Sequence, residues 1–219
     1  MIQQTSKINL YYEKTGTGVP LIMLHGNGED HTIFNKATAV LKKHFTVYAI
    51  DTRGHGKSSP VDELHYEDMA NDVYEFICKL NLEKPIVYGF SDGSIVALIL
   101  AIKHPEAISR IVASGVNTQP NGLNTINLLI YKITYFFTRA KRIKLMLNEP
   151  SITDTQLNNI KIPVSVTGGS KDMIKQSHLK HIADSIPNST LTIFNGELHG
   201  SYVVNSTKIA DFIIETVRK

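Results

Sequence analysis

Short apolar runs rich in Val, Ile, Leu and Tyr recur along this chain, each separated from the next by a longer segment of helical spacing. That alternation is the sequence form of parallel strands joined by crossover helices, and it sets the fold class as α/β. It predicts strands near 8–14, 21–25, 46–51, 86–90, 108–114, 164–168 and 190–195, with helices near 30–43, 66–80, 93–103, 175–186 and 201–218. The runs LIML, IVYGF and VSVT show no polar alternation, which suits a sheet covered on both faces. With 219 residues the chain is long enough for one sizeable core without disulfide or metal staples.

Several function classes recede on charge and composition. The formal net charge of +3 is small and spread out, whereas a nucleic-acid partner would want Lys and Arg clustered on one face. The single cysteine, Cys78, allows no internal disulfide, and its place among Val73, Phe76, Ile77 and Leu80 predicts a buried core thiol. Residues 1–12 lack the basic start and apolar run of a secretory signal, and no stretch of 18 apolar residues occurs. The expectation is a cytoplasmic protein with no stable membrane insertion.

One segment breaks the rhythm. Residues 107–148 contain no Asp or Glu but six basic residues, Arg110, Lys132, Arg139, Lys141, Arg142 and Lys144. From Leu123 onward the spacing is helical and aromatic, which predicts a helical subdomain inserted between two strands. Its cations are expected to form a solvated face on helices packed by their other side, in preference to a membrane-surface segment. They are also expected to favour anionic substrates.

The most specific signal is Gly89-Phe90-Ser91-Asp92-Gly93, a G-x-S-x-G pattern between an apolar strand and an apolar-periodic helix. A serine on so sharp a turn has its Oγ thrust out of the sheet, and glycines at 89 and 93 avoid Cβ collisions in the bend. A serine hydroxyl needs a base within hydrogen-bond reach and a group that fixes the base's tautomer. Asp172 follows the strand predicted at 164–168, and His199 follows the one at 190–195. Catalytic groups gather at the carboxyl ends of parallel strands, so Ser91, Asp172 and His199 should open onto one edge. His25-Gly26-Asn27-Gly28 follows another strand, and the backbone N–H groups of Asn27 and Asp92 are candidates for holding an oxyanion. Gly26 and Gly28 permit close backbone approach there.

Taken in order, His25-Gly26, the loop Asp51-Thr52-Arg53-Gly54-His55-Gly56-Lys57-Ser58, the serine turn, Asp172 and His199 resemble the α/β-hydrolase superfamily over essentially the whole chain. The resemblance implies a mostly parallel eight-stranded sheet with helices on both faces, a first hairpin before Leu21, and a short cap at about 117–158 after the sixth strand. The whole would be one domain, 1–219, with the cap roofing the pocket and selecting substrate. Two departures stand out: residues 25–28 read HGNG where many lipases read HGGG, and Ser94 stands where many relatives carry a second glycine.

These residues point to a cofactor-free serine hydrolase of a small-molecule carboxylic ester, thioester or lactone. Its closest enzymatic alternative is carbon-carbon hydrolysis of a vinylogous diketone; from another class, a ligand-binding or receptor protein could use the same scaffold. Gly56-Lys57-Ser58 is not a P-loop, because Asp51 occupies the position of the required first glycine. No HExxH pattern calls for a metal, and His178 and His181 are expected on a solvated helix face. Oligomeric state leaves no mark in the sequence.

Overall fold

The computed structural model describes residues 1–218. Its centre is an eight-stranded sheet in the order β1-β2-β4-β3-β5-β6-β7-β8. The strands are β1 (Ile2–Gln4), β2 (Asn9–Thr15), β3 (Val19–Leu24), β4 (Phe45–Ile50), β5 (Ile86–Phe90), β6 (Arg110–Ser114), β7 (Val164–Lys171) and β8 (Ser189–Leu198). β1 and β2 form an antiparallel hairpin at one edge, β2 pairs antiparallel with β4, and all remaining pairings are parallel.

Successive residues of a strand face opposite sides of a sheet, and here both sides are apolar. In β3, Ile22 and Leu24 join the core shared with α2 (Tyr66–Lys79), α3 (Asp92–Lys103) and α7 (Gln176–Ser185). Leu21 and Met23 point the other way, into the core under α1 (Asn35–Leu41) and α8 (Lys208–Arg218). The continuous apolar runs thus reflect helices on both faces.

Two helices are shorter than their periodicity suggests. The segment predicted at 30–43 opens with a tight 3-10 turn at His31–Phe34, capped by the Asp30 carboxylate, before α1 begins. The segment predicted at 201–218 starts as turns, because Asn205 takes a left-handed conformation (φ 48°) and its N–H bonds to the Ile33 carbonyl; α8 follows.

Cys78 is exposed, against expectation. In α2 the buried positions Met69, Ala70, Val73, Phe76 and Ile77 form the inward stripe. Cys78 is one residue past Ile77, about 100° around the helix, and shares its face with Asn71 and Tyr74.

Between β6 and β7 lie α4 (Thr125–Thr138), α5 (Lys141–Asn148) and α6 (Asp154–Asn158). The expected solvated cationic face is present in part: Lys132, Arg139, Lys141 and Lys144 are exposed and α5 packs through Leu145, but Arg142 is half-buried and the cations of α5 have partners. On α5, Lys141 donates to the Val61 carbonyl, Arg142 to the Gly54 carbonyl at 3.3 Å, and Lys144 pairs with Glu63 at 3.1 Å. These cations tie the helix to the 54–63 loop. On α4 no residue is fully buried, and the outward face is apolar.

The 51–58 loop is held by buried polar bonds. Arg53 grips Asp72 through two nitrogens at 2.6 and 2.7 Å and reaches Asp68 at 3.0 Å. Asp51 accepts from the His31 and Lys57 backbone N–H groups, and a Cβ at Gly56 would stand 2.1 Å from its Oδ2.

Candidate active site

Ser91 sits directly between β5 and α3 with φ 52° and ψ −114°, a left-handed φ that a side-chain-bearing residue adopts only under constraint. The constraint is visible on either side. A Cβ at Gly89 would stand 2.3 Å from the Gly93 carbonyl oxygen, and one at Gly93 would stand 2.2 Å from the Leu24 carbonyl oxygen. Ser94 is fully buried and donates its hydroxyl to the Gly89 carbonyl at 2.6 Å, so this departure from many relatives adds a tie behind the turn.

Three side chains far apart in sequence meet at this turn. His199 follows β8 at once, and its Nε2 lies 3.0 Å from Ser91 Oγ. Its Nδ1 lies 2.6 Å from Asp172 Oδ1. Asp172, just beyond β7, also accepts from the Ile174 N–H at 2.9 Å and the Gly169 N–H at 3.3 Å, and its side chain is closed to solvent. With the Ile174 N–H on one lone pair of Oδ1 and the Gly169 N–H on Oδ2, the second lone pair of Oδ1 meets the imidazole Nδ1–H, which leaves Nε2 as the acceptor facing the serine. The imidazole packs beside Phe90, with ring centroids 5.0 Å apart, and over Gly115.

Asn27 and Asp92 flank the serine. Asp92 is the first residue of α3, so its amide has no intrahelical acceptor. His25 holds the Asn27 loop in place: Nδ1–H donates to the Gly26 carbonyl at 2.7 Å, while Nε2 accepts from the Thr52 N–H at 3.0 Å. Burial lowers the His25 pKa to about 4, which keeps the ring neutral and able to do both. Gly26 is required by proximity, since a Cβ there would lie 2.7 Å from Glu29 Oε2 and 3.2 Å from Ser91 Cβ. Gly28 takes φ 75° and faces Arg142.

The Asp92 side chain is buried in the wall of the site. It accepts from Asn27 Nδ2 at 2.8 Å, with the Tyr66 phenol also directed at it, and desolvation raises its pKa to about 6. The same Asn27 amide reaches the Arg142 carbonyl of α5 at 3.2 Å, joining the inserted helices to the serine turn.

A cavity of about 430 Å³ opens over Ser91 and His199, roofed by Leu123, Tyr131, Ile143 and Met146 from the inserted segment. Its charged lining does not carry the cations of the basic segment. Glu29, Asp92 and Glu149 line it together with His199, and among the described residues no Lys or Arg does. The cations of α5 are turned toward the 54–63 loop. Glu29 accepts from the Gly26 N–H at 2.9 Å, and burial raises its pKa.

Sequence reasoning did not single out Glu29, Tyr66, Gly115 or Glu149. Only Gly115 left a signal, as a glycine immediately after a strand of the parallel sheet. His178 is half-buried, where a solvated face was expected: its Nε2 accepts the Thr118 N–H at 3.1 Å, and burial lowers its pKa. His181 is exposed and faces Asp154. Asp30, His31 and Asp51 cluster closely, but the Asp51 carboxylate is taken up by the His31 and Lys57 bonds described above.

Against known proteins, residues 19–136 match a family model described as the alpha/beta hydrolase fold. Serine hydrolase BPHL of Homo sapiens is 38% identical over 119 residues, which is 50% of this chain and 40% of that protein. The chain thus spans less than half the length of this curated relative, as it does for YisY of Bacillus subtilis, 34% identical with 40% of its length covered. Among solved structures, a thermophilic esterase from Thermogutta terrifontis superposes with a TM-score of 0.80 at 22% identity, covering 99% of this chain and 97% of that one. A meta-cleavage product hydrolase from Pseudomonas fluorescens IP01 superposes with a TM-score of 0.78 at 17% identity, covering 96% and 94%. These two likenesses are of fold.

Proposed function

The chain belongs to the α/β-hydrolase fold family, and from that premise we propose that it is a serine hydrolase acting on a small to medium carboxylic ester, thioester or lactone. The observation that carries the reading is the unbroken chain of hydrogen bonds from Ser91 Oγ to His199 Nε2 at 3.0 Å and from His199 Nδ1 to Asp172 at 2.6 Å. In this reading His199 takes the Ser91 proton as Oγ attacks the acyl carbon. Asp172 fixes the tautomer and steadies the imidazolium that forms. The amides of Asn27 and Asp92 receive the oxyanion. His199 then protonates the leaving group; on the second half of the cycle it draws a proton from the water that attacks the acyl-serine, and returns it to Ser91 Oγ as the acid is released. The helices α4–α6 act as the cap that shapes the acyl and leaving-group sites.

The test pairs a covalent probe with turnover. A fluorophosphonate should label the protein at Ser91, and Ser91→Ala should abolish labelling and lower kcat for short aryl esters by about 10⁴ to 10⁶, since triad members act as a unit. A Ser91→Ala protein as active as the parent would remove the assignment. Assaying a vinylogous diketone beside the esters separates ester from carbon-carbon cleavage. Failure of both labelling and turnover in the folded parent would favour a binding protein on this scaffold.

A further inference from the structure

Helix α4 carries a surface that the hydrolase reading leaves unused. Six large apolar side chains, Ile126, Leu129, Ile130, Ile133, Phe136 and Phe137, are between 50 and 78% exposed. They recur at steps of three and four residues, so at about 100° per residue they form a single outward stripe. Among the described residues these six account for most of the exposed large hydrophobics, the others being scattered at Met1, Ile2, Val19 and Leu198. The opposite side of the helix is the packed one: Leu128 and Tyr131 rest on the core, and Tyr131 lines the cavity over Ser91. A stripe this continuous on a protein surface marks something that covers it.

Charge indicates what that is. Residues 107–148 contain no acid, and the two cations nearest the stripe are Lys132, exposed on its flank, and Arg139. The Arg139 guanidinium lies 5.4 Å from the Tyr135 ring centroid and 5.7 Å from that of Phe136, at the edge of the apolar face. A second copy meeting this face would bring like charges together with no carboxylate in the segment to pair them. An anionic lipid surface meets both properties, taking the apolar side chains below its headgroups while the cations sit among them. The helix is 14 residues long and no described helix can cross a bilayer, so it would lie along the surface.

We infer that the outward face of α4 docks this protein on anionic lipid surfaces. The docked face is the outside of the cavity's roof, so the site over Ser91 is held close to the membrane. The inference stands whichever bond the site cleaves.

Sedimentation of the whole chain with vesicles of phosphatidylcholine, alone or with about 30% phosphatidylglycerol, tests it. Binding is expected to the anionic vesicles at about 0.05 M salt, and it should weaken several-fold at about 0.5 M. The double variant Ile133→Asp with Phe137→Asp should lose binding at least about tenfold, with unchanged far-UV circular dichroism and melting temperature showing that it folds. Lys132→Glu with Arg139→Glu should weaken binding to anionic vesicles and leave any binding to neutral ones unchanged. The inference is overturned if the parent stays in solution with anionic vesicles, or if the Asp variant binds as well as the parent. It is equally overturned if the parent is a dimer that the Asp variant splits and neither form binds vesicles.

Discussion

The side-chain amide of Asn27 lies 2.8 Å from the buried carboxylate of Asp92, so each holds the other against the serine turn. Burial raises the Asp92 pKa to about 6, above the ordinary 3.8, so the folded protein holds this proton more tightly than the unfolded chain does. The stability this provides is complete below the unfolded value and is lost as pH rises through about 6. His25 works in the opposite sense: its pKa, lowered by burial to about 4, makes stability fall as pH drops from 6.5 toward that value. The two slopes offset one another in the parent. Asp92→Asn removes one of them and keeps an acceptor for Asn27. The variant should therefore be more stable than the parent by up to about 3 kcal/mol above pH 7 and about equal to it near pH 4. Urea titrations across this range check it; parallel pH profiles would contradict the assignment.

Gly115 predicts a loss of activity through position alone. An added methyl would stand 2.5 Å from His199 Cε1, at a residue whose φ is +61°. Gly115→Ala should displace the imidazole from Ser91 and lower kcat by at least about tenfold, with a smaller change in KM and a stability cost of about 1–2 kcal/mol for the left-handed alanine. Steady-state kinetics with calorimetry checks it; an unchanged kcat would show that the ring has room to move.

How much of this was legible in the sequence depends on what each feature rests on. The parallel sheet was readable because strands buried on both faces must be apolar throughout, as Leu21 through Leu24 are. Ser91, Asp172 and His199 were readable because each follows a strand, and strand ends share one edge of such a sheet. Positions that depend on packing between distant elements were not. Nothing local to Glu29 says that it turns toward Gly26, and nothing local to Lys141 says that it reaches back to Val61. The outward stripe of α4 was hidden for a similar reason, since apolar periodicity says that one side of a helix is apolar but not what that side meets.

Arg53 and Asp72 form a buried pair that anchors the 51–58 loop, with both side chains at most 6% exposed. Removing Arg53 strands the Asp72 charge away from water, which is far more costly than the pair's own net contribution, whereas Arg53 without Asp72 keeps its contact with Asp68 at 3.0 Å. Arg53→Met should destabilise the fold by about 3–5 kcal/mol, while also replacing Asp72 with an apolar residue of similar volume should recover most of that loss. Chemical denaturation of the single and double variants tests this; a single variant within 1 kcal/mol of the parent, as for an exposed pair, would sink it.

The charge of the cavity wall sets a last expectation, opposite in sign to the one suggested by the basic segment. Glu29, Asp92 and Glu149 line the space over Ser91, the Glu149 carboxylate held by His65 Nδ1 at 2.6 Å and the Tyr66 N–H at 3.1 Å, and no described Lys or Arg lines it. In a partly closed cavity the field of these groups is focused on whatever enters, so a carboxylate-bearing ester is repelled where a neutral ester of the same size is not. At low salt and pH 8, kcat/KM for the anionic ester should be lower by about tenfold, mostly through KM. Glu29→Gln should narrow the gap, because it removes a charge and leaves an oxygen to accept the Gly26 N–H. Added salt should narrow it less than it would at an open surface, since the wall is shielded from counterions. Equal rates for the two esters in the parent would mean that these carboxyls hold protons or counter-charges at working pH.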